Sequence, residues 1–178
     1  MTASATALIQ GPMTTAEALA LFDRLEPVSQ AFMFGRWEGA GFPTGHRMDG
    51  LLEACHWYGK EFEDADHVHP LLFSDGKGGL FRVNPALVPM SLATRFPLPK
   101  TTLAGSLFRV LKPVLRTERS KARLRMTEYR GKVSATMIYD DLPINDVFRQ
   151  IDENTVLGIM DLKGVEQPFF FLLRRVRG

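Results

Sequence analysis

Cysteine is almost absent from this sequence, and Cys55 is its single example. One thiol cannot form an intramolecular disulfide, which fits a reducing compartment. Charge of one sign is also scarce: the formal net charge of +2 is too small to indicate a nucleic-acid partner. No hydrophobic run approaches the length of a membrane span, so we expect no stable membrane insertion. The first ten residues lack the basic start and apolar core of a signal peptide. These absences together predict a cytoplasmic protein.

Histidine is confined to the first half of the chain. The pair His67-x-His69 could place two metal ligands on one strand face, and Cys55-His56 lies nearby in sequence. No spacing matches a closed zinc site, so we expect neither a metal nor a cofactor. Cys55 lies on the apolar side of a predicted helix, which favours a buried, inert thiol over a nucleophile.

A glycine-rich stretch at residues 35–43, GRWEGAGFP, is the most distinctive part of the chain. Gly35, Gly39 and Gly41 share one strand face with Trp37 by the two-residue period. One large indole beside glycines, which have no side chain, suits the end of a β-barrel. There the indole closes the bottom of the barrel and neighbouring strands bend over it. A plain core tryptophan beside turn glycines is the alternative.

Hydrophobic periodicity predicts the remaining elements. A capping box at Thr14–Glu17 begins a helix that Pro27 ends. Strands are predicted over 30–42, 70–74, 80–83, 121–128, 132–139, 155–162 and 167–176, and helical segments over 47–58, 102–111 and 144–150. Residues 1–12 are predicted to be a disordered arm. The proline-rich segment 84–100 is predicted to be a long connection that acts as a lid or binding loop.

These elements predict a single mainly β domain over 13–178 with a few short helices. Seven strands, mostly joined by tight turns, favour an up-and-down antiparallel barrel of the lipocalin or calycin kind. One face of the later strands is apolar and contains three methionines, which adapt to irregular ligands. The residues expected to point inward are Ala122, Leu124, Met126, Val133, Ala135, Met137, Tyr139, Val156, Gly158 and Met160. Such a barrel is either filled by its own side chains or holds one small ligand.

Polar residues cluster between residues 139 and 149. Asp140, Asp141 and Asp146 could supply an acid and a base, or bind a cation. The alternative is structural: Asn145 caps a short helix, and Asp146 pairs with Arg149 at i, i+3. Near the end of the chain are three arginines, Arg174, Arg175 and Arg177. One of them could lie over the Trp37 ring in a cation–π contact, or all three could be surface residues.

The run Gly35-Arg36-Trp37-Glu38-Gly39 resembles the signature of the GXWXG protein family. Stretches between residues 121 and 161, including KARLR, YRGK, SATMIYD and LGIMD, resemble the uncharacterised domain that accompanies it. The resemblance spans about residues 25–175, with the GXWXG part at about 25–85 and the companion domain at about 115–176. It implies no agreed function.

The same first-strand motif, extended to Gly41 and Pro43, is also similar to that of nitrobindin-like and fatty-acid-binding-like barrels. Nitrobindin-like proteins hold haem through a histidine late in the chain. This sequence has no histidine after His69, so haem bound by that route is not expected. The resemblance therefore implies a barrel architecture and an apolar ligand.

The leading functional hypothesis is that a β-barrel binds a small hydrophobic or amphipathic ligand, such as a lipid or fatty acid. The residues expected to contact it are Trp37, His46, Trp57, Met126, Met137, Tyr139, Asp146, Arg149 and Met160. One alternative is a hydrolase or isomerase that uses carboxylates at the barrel mouth. Another is a structural or partner-binding protein with a filled barrel. A homodimer is compatible with each hypothesis.

Overall fold

The computed structural model describes residues 13–88, 110–111 and 113–177. The predicted arm at 1–12, most of the predicted loop at 84–100 and most of the predicted helix at 102–111 lie outside the described residues. The helices are α1 (Thr15–Arg24), α2 (Gln30–Met33) and α3 (Leu51–Ala54), and Pro85–Leu87 forms a 3-10 turn. The strands are β1 (Glu26–Pro27), β2 (Gly35–Gly41), β3 (Trp57–Phe62), β4 (Val68–Ser74), β5 (Leu80–Arg82), β6 (Ala122–Tyr129), β7 (Lys132–Tyr139), β8 (Ile144–Asp152), β9 (Thr155–Leu162) and β10 (Phe169–Arg175).

The strands form a closed ring. In order around the ring, β8, β7, β6, β4, β3, β2, β10 and β9 each pair with the next, and β9 pairs back with β8. Each of these pairings is antiparallel. The shortest pairing joins β4 to β6 through Val68 and Ala122. Two short strands do not belong to the ring: β1 pairs with β8, and β5 pairs with β4. The predicted mainly antiparallel β structure with a few short helices is confirmed.

Two apolar clusters mark the two faces of the ring. The larger cluster lies inside the ring and contains residues such as Trp37, Phe62 and Phe148. The smaller one lies between α1 and the outer side of β8, β9 and β10, where Phe22 packs with Val147 and other residues. The capping box predicted for α1 is present, since Thr14 and Glu17 bond to each other reciprocally. None of the described helices is long and apolar enough to cross a membrane.

The helix predicted over 144–150 is wrong, because these residues belong to strand β8. Ile144, Asp146 and Phe148 face the inside of the ring, whereas Val147 packs in the cluster under α1. A strand covered on both faces loses the alternation of apolar and polar residues that marks a half-exposed strand. Adjacent apolar residues therefore gave the segment the appearance of a helical turn.

The region around residues 30–58 is also divided differently from the prediction. The predicted strand over 30–42 begins as α2, which Ser29 caps through a hydrogen bond from the Phe32 N–H. The predicted helix over 47–58 is limited to α3. It ends near His56, which has a φ of 60°, and Trp57 then begins β3. The Trp57 side chain is consequently presented from a strand.

The later strands agree closely with the prediction, and most of the expected inward residues are buried. Met126 and Val133 are the exceptions, because they are 43% and 52% exposed. Both lie towards the turn of the β6–β7 hairpin. The inward set predicted from strand alternation is correct for the middle of the hairpin and wrong at its tip.

Candidate functional site

A buried ion pair lies inside the ring. The Lys60 Nζ atom on β3 is 2.8 Å from Asp146 Oδ2 on β8, and the two side chains are only 3% and 1% exposed. The ammonium also donates a hydrogen bond of 3.1 Å to the Pro70 carbonyl. Removing two charges from water costs several kcal/mol per ion, and attraction between them often only balances that cost. A charge pair in an otherwise apolar interior is therefore the first candidate for function.

Tyr139 completes this polar group. Its hydroxyl donates a long hydrogen bond of 3.4 Å to Asp146 Oδ2. Burial raises the pKa of Tyr139 well above 10, and the neighbouring Asp146 carboxylate adds to the rise. Burial also raises the pKa of Asp146, although the Lys60 charge and hydrogen bonds from Lys60 and Tyr139 act in the opposite direction. The phenol therefore stays neutral, and the carboxyl is easier to protonate than an exposed aspartate.

Aromatic rings surround the ammonium. The Lys60 Nζ atom lies 4.9 Å from the ring centroid of Phe171, 5.7 Å from that of Trp57 and 5.8 Å from that of Tyr139. Trp57 and Phe171 meet edge to face at 6.0 Å. These distances are within the range of cation–π attraction. The aromatic walls thus stabilise the charge while keeping its surroundings apolar.

Two glycines, which carry no side chain, make room for the aromatic rings around Lys60. A Cβ atom on Gly39 would overlap the Trp57 ring, and a Cβ atom on Gly158 would overlap the Phe171 ring. Gly39 belongs to the GXWXG run, so part of that motif has a direct steric role at the site. The motif admits the Trp57 indole to the interior.

A bulge at Gly59 turns Lys60 inward. The β3–β4 register shifts on both sides of Gly59, which has a φ of 151°. Strict alternation would place Trp57 and Lys60 on opposite faces, but the extra residue puts both inside. A Cβ atom at Gly59 would also overlap the Trp37 carbonyl. The bulge therefore depends on this glycine.

Two polar atoms at the site have spare hydrogen-bonding capacity. Asp146 Oδ1 is a buried acceptor and Trp57 Nε1 is a buried donor, and neither has a partner among the described residues. Buried polar groups are nearly always paired, and leaving one unpaired costs about 1–3 kcal/mol. Both side chains adjoin the Lys60 ammonium. The site can therefore accept one hydrogen bond and donate another.

Comparison with known proteins identifies two family regions in the chain. Residues 20–78 match the GXWXG protein family, and residues 120–175 match a domain of unknown function, DUF4334. A crystal structure of a protein from Thermomonospora curvata is 35% identical to this chain, with a TM-score of 0.68 and coverage of 93% of this chain and 90% of that one. The chain belongs to the GXWXG family. No curated protein matches it.

The ion pair joins the two family regions of this GXWXG protein. Trp57 and Lys60 lie in the GXWXG region, whereas Tyr139, Asp146 and Phe171 lie in the DUF4334 region. The ring brings these regions together, since β3 and β8 are on different parts of its circumference. Neither region contains the complete site.

Several residues predicted from the sequence share the interior face with Lys60. Met137 and Met160 are the register partners of Asp146 on β7 and β9 and flank it on that face. Trp57 and Tyr139 line the same space. These five side chains, with Asp146 among them, were predicted from the sequence, but Lys60 was not. The glycine inside the run Trp57–Phe62 was the available signal, because a glycine in a strand often marks a bulge.

Trp37 is in the interior but has other partners. Its Nε1 donates to the Met33 carbonyl at 2.7 Å. The Arg175 guanidinium lies 4.3 Å from the Trp37 ring centroid and donates to the carbonyls of Phe32 and Phe34. The predicted cation–π contact between the first and last strands of the ring is confirmed, with Arg175 as the arginine. Trp37 is therefore part of the closure at this end.

Other predicted site residues lie elsewhere. Met126 is on the exposed hairpin tip, and Asp141 pairs with Lys121 at 3.1 Å on the surface. The His46 ring is buried 5.4 Å from that of Phe169, and its Nδ1 accepts a hydrogen bond from a backbone N–H. Met126 and Asp141 therefore lie on the surface, away from the buried Lys60–Asp146 pair.

Arg149 lies on the opposite face of β8 from Asp146. Its guanidinium is 5.0 Å from the Phe22 ring centroid under α1 and donates to the carbonyls of Tyr129 and Lys132 at 3.0 and 3.2 Å. Burial lowers the pKa of Arg149. The predicted i, i+3 pair with Asp146 does not form, because residues three apart on a strand point to opposite faces.

The outer face carries a second cluster of ionisable groups, formed by Glu61, Glu63 and His69, whose ligating atoms lie within 4.8 Å of one another. Arg82 donates to both carboxylates at 2.8 Å, and Arg36 donates to Glu61 at 2.7 Å. The carboxylates are therefore engaged by guanidinium groups.

The predicted His67-x-His69 pair does not act as a unit. His67 bonds to Asp64, whereas His69 bonds to Glu63. Cys55 is half-buried and burial raises the pKa of its thiol, which opposes activation as a nucleophile.

Proposed function

We propose that the ring is a calycin-like barrel that binds a small amphipathic molecule in its interior. The polar end of the molecule bonds to the group formed by Lys60, Asp146, Tyr139 and Trp57. Its apolar part packs against the aromatic and methionine walls. The observation that supports this proposal is the buried ion pair with one spare acceptor and one spare donor beside it.

A purely structural role explains this arrangement less well. Replacing a buried ion pair by apolar residues of similar volume is often neutral or stabilising. The unpaired Asp146 Oδ1 and Trp57 Nε1 add a further cost. A ligand that bonds to both atoms removes that cost when it binds. An arrangement that weakens the empty protein and favours the complex is typical of a binding site.

The walls suit a ligand with an apolar body. Phe171 and Trp57 form an edge-to-face corner, and Met137 and Met160 lie on either side of Asp146. Aromatic rings supply rigid apolar area, whereas methionine adjusts to irregular shapes. This combination supports an interior that receives a partly apolar molecule around a few fixed polar atoms.

A second candidate is acid–base catalysis, as in an isomerase. Its specific support is Asp146, whose pKa is raised by burial and whose Oδ1 atom has no described partner. A buried carboxyl whose pKa is raised takes up a proton more readily than an exposed one, which suits it to moving a proton on a substrate. In this case Lys60 and Tyr139 would stabilise the charge that develops.

The test is to identify what the protein carries from cells. The wild type, Lys60→Met and the matched surface variant Lys163→Met are purified in parallel and denatured, and the released small molecules are compared by mass spectrometry. We expect one amphipathic compound in near-stoichiometric amount with the wild type and Lys163→Met, and its loss with Lys60→Met. Lys163 is exposed and therefore controls for removal of a lysine.

Two outcomes separate the candidates. If the compound returns chemically changed after incubation with wild type but not with Asp146→Asn, catalysis replaces binding as the function. If all three proteins release nothing and the extracted protein binds no alkyl compound when titrated, the interior is filled and the binding proposal is wrong.

A further inference from the structure

We propose that the polar end of the ligand is uncharged and carries both a hydrogen-bond donor and an acceptor, as an alcohol or a primary amide does. This inference rests on the proposed binding function and specifies its ligand class. It excludes a carboxylate, and therefore an ionised fatty acid, as the preferred ligand. The deciding feature is that the charges of Lys60 and Asp146 balance each other before any ligand enters.

The charge balance follows from the groups that face the ammonium. Lys60 carries one positive charge and Asp146 one negative charge, and their closest atoms are 2.8 Å apart. Tyr139, the third ionisable group in contact, is neutral. Arg175 lies over Trp37 at the end of the ring, where it is partly exposed and bonds to two backbone carbonyls. The charges of the group formed by Lys60, Asp146 and Tyr139 therefore sum to zero.

A charged ligand meets an unfavourable partner in this space. An anion that approaches Lys60 also approaches the Asp146 carboxylate, because both groups share one contact. A cation that approaches Asp146 approaches the ammonium for the same reason. In each case the ligand loses its hydration without gaining an uncompensated opposite charge. A neutral polar group avoids this penalty.

The two buried atoms without a hydrogen-bond partner also favour a neutral polar group on the ligand. Trp57 Nε1 can only donate, so the ligand needs an acceptor, and Asp146 Oδ1 as a carboxylate can only accept, so the ligand needs a donor. A hydroxyl group or a primary amide offers both. A carboxylate offers acceptors alone and would leave Asp146 Oδ1 unpaired, which is costly in a buried site.

The experiment compares three probes with the same alkyl chain. Octan-1-ol, octanoate and octylammonium are titrated calorimetrically into the wild-type protein at about pH 8, where the acid and the amine are both charged. We expect octan-1-ol to bind about tenfold or more tightly than either charged probe. Since the alcohol also leaves water more readily, a variant is needed to separate site recognition from general hydrophobicity.

Asp146→Asn supplies that separation, because it keeps the side-chain shape but leaves the Lys60 charge unbalanced. We expect the preference to reverse, with octanoate binding about tenfold more tightly than octan-1-ol. If Asp146→Asn does not fold, as judged by circular dichroism, Lys60→Met replaces it. The remaining negative charge should then make octylammonium the preferred probe.

The outcomes distinguish this inference from the function on which it rests. Tighter binding of octanoate or octylammonium by the wild type would overturn the neutral-ligand inference and leave amphipathic binding in place. An unchanged ranking in the charge variants would also overturn it, since the ranking would then reflect hydrophobicity alone. Failure of all three probes to bind would overturn the binding proposal together with this inference.

Discussion

Removal of the Lys60 ammonium is the most informative perturbation of this protein. Lys60→Met keeps a side chain of similar length but leaves Asp146 without its counter-charge. At 2.8 Å and an effective dielectric constant of about 20, the attraction between the two charges amounts to about 6 kcal/mol. Desolvation of the ammonium offsets part of this attraction in the wild type. We therefore expect a loss of about 3–5 kcal/mol in the free energy of unfolding near pH 7.

The loss should depend on pH in a defined direction. Burial raises the pKa of Asp146 even beside Lys60, and removal of Lys60 raises it further. The folded variant then binds a proton more readily than the unfolded chain above about pH 4. Stability is consequently greatest below that pH and falls as the pH rises through the window up to the folded-state pKa. The slope reaches at most about 1.4 kcal/mol per pH unit.

The measurement is urea unfolding followed by circular dichroism over a series of pH values. With a urea dependence of about 2 kcal/mol/M, the expected loss lowers the midpoint by about 2 M at neutral pH. Lys163→Met, at an exposed position, should remain within about 0.5 kcal/mol of the wild type. The double variant Lys60→Met/Asp146→Leu should recover most of the loss, because no unpaired charge stays buried.

The result that would refute this reasoning is a small, pH-independent effect. If Lys60→Met unfolds within about 1 kcal/mol of the wild type at every pH, Asp146 does not experience the buried electrostatic environment that the site requires. The binding proposal would then lose its main support.

Three further predictions concern other parts of the fold. Gly39→Ala should cost about 1–3 kcal/mol, because the new methyl group overlaps the Trp57 ring; an unchanged melting temperature would contradict this steric role. Burial, assisted by the charge of Arg82, lowers the pKa of His69 below 6.5. As the pH drops below about 6.5, His69 is therefore protonated more readily in the unfolded chain than in the folded one, and the free energy of unfolding falls. His69→Gln should flatten that acid dependence in urea titrations, and an unaltered profile would assign it to other groups. Arg175→Lys should cost about 1–3 kcal/mol through loss of its bonds to two carbonyls, whereas Arg174→Lys, at an exposed position, should be neutral; equal effects would contradict the assignment.

The alternation of apolar and polar residues was sufficient to predict most strands in the second half of the chain. Strands β6, β7, β9 and β10 lie within two residues of the predicted bounds, because the turns between them carry clear signals, such as the left-handed Arg130 and Gly131. Strand β8 was missed because its sequence does not alternate between apolar and polar residues. Its inner face packs in the ring and its outer face is covered by α1, so no polar face alternates with an apolar one.

The candidate site was predictable only in part. Tyr139 and Asp146 were identified as a polar group next to a strand end, although the segment containing Asp146 was assigned to a helix. Lys60 was missed because no strand was predicted over residues 57–62, and the bulge at Gly59 is what turns this side chain inward. Arg149 was misplaced because a helical spacing joined it to Asp146, whereas the strand separates them.

The sequence by itself determined the features that depend on near neighbours. These are the capping box of α1 and the β6–β7 hairpin, since each follows from the chemistry of a few adjacent residues. Only the tertiary structure decided that Lys60 and Asp146 form a pair. They lie in two distant family regions, and no local periodicity relates them. Closure of the ring and one bulged residue set their distance, which is why the charge balance at the site emerged only from the fold.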